Sequence, residues 1–420
     1  MSAYNYFTGN SFEQLYKPDF DSQEDYYYTF LLFYPTTAAW SNFKNDQKYI
    51  IQDGNEEEKK VEFDKVMLKE AWKNMALLGK TETFTVQIPP KELIEYWEAH
   101  LGNELTIYQI KHNDHYRLLN QNDLVDKYVT LFPHDHLLPE KHAVDPDVHY
   151  ELLSKLTLDK MGFPCPKHTA WYFSKTDPKD VDLPKEFPYA VKTSHGLSGE
   201  GTYLIHSQED LENCRKEFRA YWNLNLVKAV VVSDFVKNVV DNYCVQFYVN
   251  FQGEVTLLGA THQIVTSKGE YLGGQIDYEE DLQKFDFIIK EAASFAHQKG
   301  YFGVIGLDVL EDTEGNLSVI DANIRINGST GMCILRNMLL ALGKRYARYS
   351  GGFYSYGSLS DFLKRFETEL QNKDFILLSS VEKEKDGKKI LDMYGILAAK
   401  NKEELDEIAE KLEKKGLFHA

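Results

Sequence analysis

The stretch Ser318-Val319-Ile320-Asp321-Ala322-Asn323-Ile324-Arg325-Ile326-Asn327-Gly328-Ser329-Thr330 decides the fold. Asp321, Asn323 and Arg325 alternate with apolar residues and so point to one face of a strand, while Ile320, Ala322, Ile324 and Ile326 point to the other. Before it, "FGVIGLDVLE" sets Asp308 among apolar residues, where an unpaired carboxylate is costly to bury. The link "DTEGN" (312–316) is a hairpin signal. Antiparallel pairing across it lays Asp308 beside Asp321 and Asn323. Two carboxylates and an amide oxygen are hard ligands suited to Mg²⁺, which keeps waters and adds phosphate oxygens. Arg325 suits an anion rather than the metal. A plain ion-pair network on a strand surface is the competing reading, and it leaves Asn323 and the second acid unexplained.

A second segment, "PYAVKTSHGLSGEGTYLI" (188–205), delivers Lys192 from a short strand into a loop with Gly196, Gly199 and Gly201, then a second strand. Glycines let backbone amides approach phosphate oxygens, and a lysine supplies point charge. The order of parts excludes a Walker loop, in which a helix follows GK[ST], and a protein kinase, whose glycine loop precedes the lysine. A tight hairpin without a ligand is the alternative. A third segment, "AVVVSDFVKNVVDNYCVQF" (229–247), breaks an apolar strand at Ser233-Asp234-Phe235-Val236 and resumes after Asp241. Backbone groups at such a break suit an adenine edge, and a carboxylate just after it suits ribose hydroxyls; a surface loop with acids facing water is the bland reading.

At 420 residues the chain has room for two or three domains. The net charge of −18 argues against non-specific binding to nucleic acid or an anionic membrane, so any anionic ligand needs a local basic pocket. Cys165, Cys214, Cys244 and Cys333 are scattered, which reads as reduced thiols in an intracellular, cytoplasmic protein. No signal peptide and no apolar run long enough to span a membrane is read. His134 and His136 lack a third ligand at plausible spacing and read as a polar loop rather than a metal site.

Residues 1–147 mix strand-like and helical runs, an α/β region without obvious site chemistry. "DVHYELLSKLTLDKMGFPCP" reads as a helix stopped by Gly162 and Pro164, and "GMCILRNMLLALGKRYARY" as another. Residues 346–420 read as a small separate α/β unit: two strands around "KEKDGKK", then a helix capped by Asn401.

In order and spacing, Lys192 before its glycine-rich hairpin, the hinge followed by Asp241, Asp308, and Asp321-x-Asn323-x-Arg325 followed by "INGSTG" resemble the ATP-grasp superfamily. The resemblance covers roughly residues 150–345. It implies an α+β, α/β chain: a pre-ATP-grasp domain (1–147), an ATP-grasp domain (148–345) with its lid about 188–206 and its metal strands about 302–328, and the C-terminal unit (346–420). ATP would lie between two α+β subdomains. Lys192, Gly196, Ser198, Gly199 and Gly201 would meet its phosphates, with Lys155 a further ATP-contacting lysine. Val232, Ser233, Asp234, Phe235 and Val236 would form the adenine hinge, and Asp241 would bind ribose. Asp308, Asp321 and Asn323 would hold Mg²⁺, with Mn²⁺ a substitute, and Arg325 would hold the activated carboxylate. Many members have Glu where Asp241, Asp308 and Asp321 stand, and Ser233 replaces a common hinge Glu.

The long N-terminal region, "THQIVTSKGEYLGGQ" and the C-terminal unit look most like pheganomycin-type peptide ligases. That implies carboxylate–amine ligation of amino acids or peptides through an acyl phosphate, releasing ADP and phosphate, with Lys192 and Arg325 as the catalytic cations. Backbone amides near Gly328, Ser329 and Thr330 would stabilise the oxyanion. Gln263, Tyr271, Gly273 and Gly274 would shape the substrate pocket, a turn between strands being their other reading. A homodimer is one assembly this allows. Another ATP-grasp enzyme, such as a carboxylase or protein-modifying ligase, and a non-catalytic ATP-binding module are the alternatives.

Overall fold

The computed structural model describes residues 2–23, 25–32, 65–110, 115–172, 183–184, 186–196, 201–223, 229–266, 271–385 and 387–419. Strands β1 (Tyr28–Leu31), β2 (Lys80–Thr85), β3 (Glu104–Gln109) and β4 (Lys127–Thr130) form an N-terminal sheet in the order β3-β2-β1-β4, every pairing parallel. Parallel neighbours need crossover connections, and helices Lys65–Met75 and Lys91–Leu101 supply two of them. This is the α/β region expected there.

A second sheet contains β5 (His168–Tyr172), β6 (Tyr189–Thr193), β7 (Thr202–Ile205) and β8 (Ala229–Asp234), in the antiparallel order β5-β8-β6-β7. Helix Gln208–Asn223 covers it. Its Leu211, Cys214 and Phe218 fall on one stripe and pack on Tyr189, Val191, Ile205, Val230 and Val232, a core separate from the main one.

The largest sheet has ten strands. Eight are β9 (Val239–Val249), β10 (Val255–Val265), β11 (Tyr271–Asp277), β12 (Gly303–Asp312), β13 (Leu317–Asn323), β14 (Tyr346–Tyr356), β15 (Phe375–Lys385) and β16 (Lys388–Ala399), in the order β13-β12-β9-β10-β11-β14-β16-β15. Two-residue strands at Asn5–Tyr6 and Phe418–His419 pair with β10 and β14. The "DTEGN" hairpin forms as expected: Asp312 Oδ1 accepts from the amides of Glu314 and Asn316 at 2.9 Å each, and Gly315 turns the chain at φ +81°.

Two expectations need correction. The C-terminal segment is not a separate unit, because β14 pairs with β11 and carries the sheet on into β16 and β15. The helix expected from Gly331 to Tyr349 is two short helices, Thr330–Ile334 and Arg336–Ala341, stopped at Gly343 in the left-handed region at φ +71°. Beyond it Ala347 and Tyr349 alternate inward as part of β14. No described helix is long and apolar enough to cross a membrane.

Candidate active site

Asp308 and Asp321 are directly opposed in the β12–β13 ladder. A bulge beside Asp308 leaves Ile320 unpaired there. Two residues on, Asn323 faces the same way, its Nδ2 donating to Asp308 Oδ2 at 3.2 Å. Arg325 follows, with Nη2 donating to Asn323 Oδ1 at 3.2 Å and Nη1 to the Ile326 carbonyl at 3.1 Å. Its guanidinium lies 4.9 Å over the ring of Phe132 from the N-terminal region. The four residues expected to act together are therefore adjacent.

Two lysines reach this set. Lys192, from β6 of the small sheet, donates to the Ile320 carbonyl at 2.8 Å and so ties the two sheets together at the site. Lys155 Nζ lies 2.9 Å from Asp321 Oδ2. The helix expected around Lys155 ends early: helix Pro146–Leu152 gives way to a 3₁₀ turn, Lys155–Lys160, capped by Ser154. That break aims Lys155 at β13 while its amide donates to Ser194 O at 2.7 Å.

The electrostatics follow from crowding. Burial and the charge of Asp321 push the Asp308 carboxyl up to about 7. Burial also raises Asp321, but Lys155 and Lys192 outweigh it and hold its carboxyl below the ordinary range. Burial lowers the Lys192 ammonium to about 8, against the pull of Asp321. Two facing carboxylates with a lysine bonded to one of them form a donor set that fits a hard divalent cation. Among the described residues no group of three or more His, Cys, Asp or Glu has metal-site geometry; the third donor here is the amide of Asn323, which presents its nitrogen to Asp308.

The glycine loop is described at its base. Gly201, at φ +76°, has no room for a side chain, since a Cβ there would sit 2.2 Å from Thr193 Oγ1. Gly196 closes the described part after β6, and Ser198 and Gly199 lie outside the described residues. At the hinge, Val232 and Ser233 are paired on both sides within the small sheet, so their backbone groups are engaged. Asp234 ends β8, and Phe235 and Val236 lie in the link to β9.

Asp241 departs from expectation. It pairs with Glu311, on the face of β9 opposite Cys244 and Asp308. There His262 Nδ1 lies 2.9 Å from both its carboxylate oxygens, and His262 Nε2 lies 2.9 Å from Glu280 Oε2. Those two carboxylates raise the His262 pKa against the effect of burial. On the opposite face its neighbour Asn242 has a buried side-chain oxygen with no hydrogen-bond partner among the described residues.

Gln263 donates from Nε2 to Asp308 Oδ1 at 2.6 Å and so orients that acid. Tyr271, Gly273 and Gly274 belong to β11, not to a turn, and the Tyr271 ring lies against Gly328. The hydroxyls of Ser329 and Thr330 bond to buried Gln246 at 2.8 and 2.6 Å. The amide of Ser329 donates to Asn327 Oδ1 and that of Thr330 to Asn327 O. This network shapes the turn after β13 and leaves Gly328 as the nearest candidate oxyanion donor. Gln246, Asn327 and Asn242 were not legible in the sequence, since neutral amides in apolar runs carry no charge signal. His149 was also missed: it is buried and its Nε2 is 3.0 Å from the Ile324 carbonyl, between Asn323 and Arg325. His134 is buried, 2.7 Å from the Tyr116 hydroxyl, and His136 is exposed.

A small antiparallel sheet is tied through Lys192 to a large one that carries Asp308, Asp321 and Asn323, with Lys155 and Arg325 beside them. Residues 168–323 match the family model of ATP-grasp L-aspartate–L-methionine ligases, a span that includes Lys192, Asp308, Asp321 and Asn323 but neither Lys155 nor Arg325. Among solved structures, the fold is similar to an L-amino acid ligase from Bacillus licheniformis, with a TM-score of 0.54 and 14% identity over 81% of this chain and 98% of that one. It is also similar to phosphoribosylamine–glycine ligase from Thermotoga maritima (0.53; 13%; 81% and 97%). A third is the ATP complex of carboxyaminoimidazole ribonucleotide synthase from Aspergillus clavatus (0.52; 12%; 82% and 98%). The chain has an ATP-grasp fold, and its residues 168–323 match a ligase family of that fold.

Proposed function

We propose that the protein is an ATP-dependent carboxylate–amine ligase that joins amino acids or short peptides, using Mg-ATP. The observation that carries this reading is the contiguous set Asp308, Asp321, Asn323 and Arg325, with Lys155 and Lys192 converging on it. A site that only held nucleotide would have little use for a buried arginine beside the acids. Asp308, Asp321 and Asn323 would hold Mg²⁺, which supplies charge neutralisation for the phosphates. Lys155 and Lys192 position and neutralise the transferring phosphoryl group, a reaction in which positioning and electrostatics do most of the work. Asn242 and the Phe235–Val236 backbone face ribose and adenine.

Arg325 holds the substrate carboxylate while one of its oxygens attacks the γ-phosphorus and ADP leaves. The amine then attacks the carbonyl carbon of the acyl phosphate, Arg325 and the Gly328 amide stabilise the oxyanion, and inorganic phosphate departs as the amide forms. No nucleophilic side chain is required. L-Aspartate and L-methionine, which give the matching family its name, head the panel to be tried. The test is Mg-ATP with paired amino acids and short peptides, following ADP, phosphate and coupled product. ADP release that needs both substrates is expected; AMP and pyrophosphate would reject the acyl-phosphate route.

A further inference from the structure

His195 is a buried histidine that the proposed chemistry leaves unused. It stands three residues after Lys192, at the base of the glycine segment. Its Nε2 lies 3.0 Å from the Tyr150 carbonyl oxygen, which can only accept, so Nε2 carries a proton and donates it. In the neutral ring that leaves Nδ1 to accept from the Ser194 hydroxyl, 3.0 Å away. The ring also stacks on that of Tyr150, with centroids 4.0 Å apart and planes 20° from parallel, and the Thr193 hydroxyl donates to the His195 carbonyl at 2.5 Å.

These bonds join the two stretches that carry the lysines. Residues 150–155 and 192–195 meet at two points: His195 bonds the Tyr150 carbonyl, and the Lys155 amide donates to the Ser194 carbonyl at 2.7 Å. Each stretch then sends its lysine to the same piece of β13, Lys155 to Asp321 at 2.9 Å and Lys192 to the Ile320 carbonyl at 2.8 Å. A third tie comes from the neighbour of Tyr150, since His149 Nε2 donates to the Ile324 carbonyl at 3.0 Å. The frame therefore runs from the base of the glycine segment, through residues 149–155, to the strand that bears the acids. The two ammonium groups repel: burial, with the charge of Lys155 added, lowers the Lys192 ammonium. Left to that repulsion the side chains would splay, so the backbone frame is what keeps them side by side. Charge fixed in place in advance is what phosphoryl transfer uses.

We propose that His195 is a positioning residue: by closing this frame it holds Lys155 and Lys192 as a pair beside Asp321, set for the phosphates of the nucleotide, without touching substrate itself. The inference rests on the nucleotide site of the ligase reading and deepens it.

The experiment is NMR titration of the full chain, in Mg²⁺, with the β,γ-imido analogue of ATP and separately with adenosine. His195→Phe keeps a ring against Tyr150 but loses the donor. His195→Gln places an amide nitrogen where Nε2 stands, and His195→Asn is one carbon too short to reach the Tyr150 carbonyl. Thermal melting checks that each variant folds; if His195→Phe does not, the Gln and Asn pair carries the comparison. His195→Phe and His195→Asn should bind the imido analogue about tenfold more weakly than wild type and adenosine within about twofold, while His195→Gln should recover the analogue to within about threefold. Unchanged analogue affinity in the Phe and Asn variants, or equal losses for adenosine and the analogue, would overturn the inference and make His195 a packing residue. A wild type that binds the analogue no more tightly than adenosine would overturn it as well. If the binding pattern holds but no pair of substrates drives ADP release, the ligase reading has failed and the positioning role stands.

Discussion

Lys155 Nζ stands 2.9 Å from Asp321, whereas Asp308, directly opposite Asp321, is met by the side-chain amides of Gln263 and Asn323. One lysine is thus bonded within a buried pair of carboxylates, and the uncompensated charge falls on Asp308. Asp308→Asn should remove that repulsion while keeping the shape. Without metal the variant should melt no lower than the wild type, and turnover should fall at least about a hundredfold. A large drop in melting temperature with turnover retained would make Asp308 structural.

Asn242 and Asp241 separate two readings of the nucleotide pocket. Asn242→Ala should raise the ATP KM about tenfold, the effect of losing one hydrogen bond to ligand. Asp241→Asn should leave it within about twofold, because its partner is His262 on the far face. The reverse pattern would restore Asp241 to the ribose.

The pH dependence of stability follows from two buried histidines. Burial lowers His142 and His149 to about 4, from an ordinary value near 6.5. Between those values the unfolded chain takes up protons that the folded chain refuses. Their contribution, up to about 3 kcal/mol each, is therefore complete above pH 6.5 and lost as pH falls toward 4. His149→Gln cannot titrate, so denaturant unfolding of that variant should depend on pH in this window by about one proton less. An unchanged slope would mean that His149 is charged in the fold.

Lys69, from the helix Lys65–Met75, reaches Asp392 of β16 at 2.6 Å, and Lys383 reaches the same carboxylate at 2.6 Å. Asp392→Asn leaves the buried Lys69 uncompensated and should cost about 3–5 kcal/mol. The double variant Lys69→Met, Asp392→Leu should recover most of it in chemical denaturation. Equal destabilisation of both variants would show that packing, not charge, matters there.

The site floor was legible because strand alternation and one hairpin fix it: "DTEGN" sets the register, and the period of two puts Asp308, Asp321 and Asn323 together, with Arg325 just past the end of β13. The face that Asp241 takes was not, because a bulge between Val239 and Asp241 shifts the register by one residue, and a one-residue slip exchanges the two faces. The C-terminal strands were legible as strands, but nothing local says that "KRYARY" continues the central sheet, since that depends on long-range pairing with β11. Gln246 and Asn327 became visible only when burial showed that their amides had to be satisfied.

The most direct test of the acyl-phosphate account uses a carboxylate substrate labelled with ¹⁸O in both oxygens, together with unlabelled ATP and an amine acceptor. One labelled oxygen should appear in inorganic phosphate for each amide formed, because that oxygen bridges carbon and phosphorus before the amine displaces it. Phosphate free of label, or label recovered in AMP, would contradict the account.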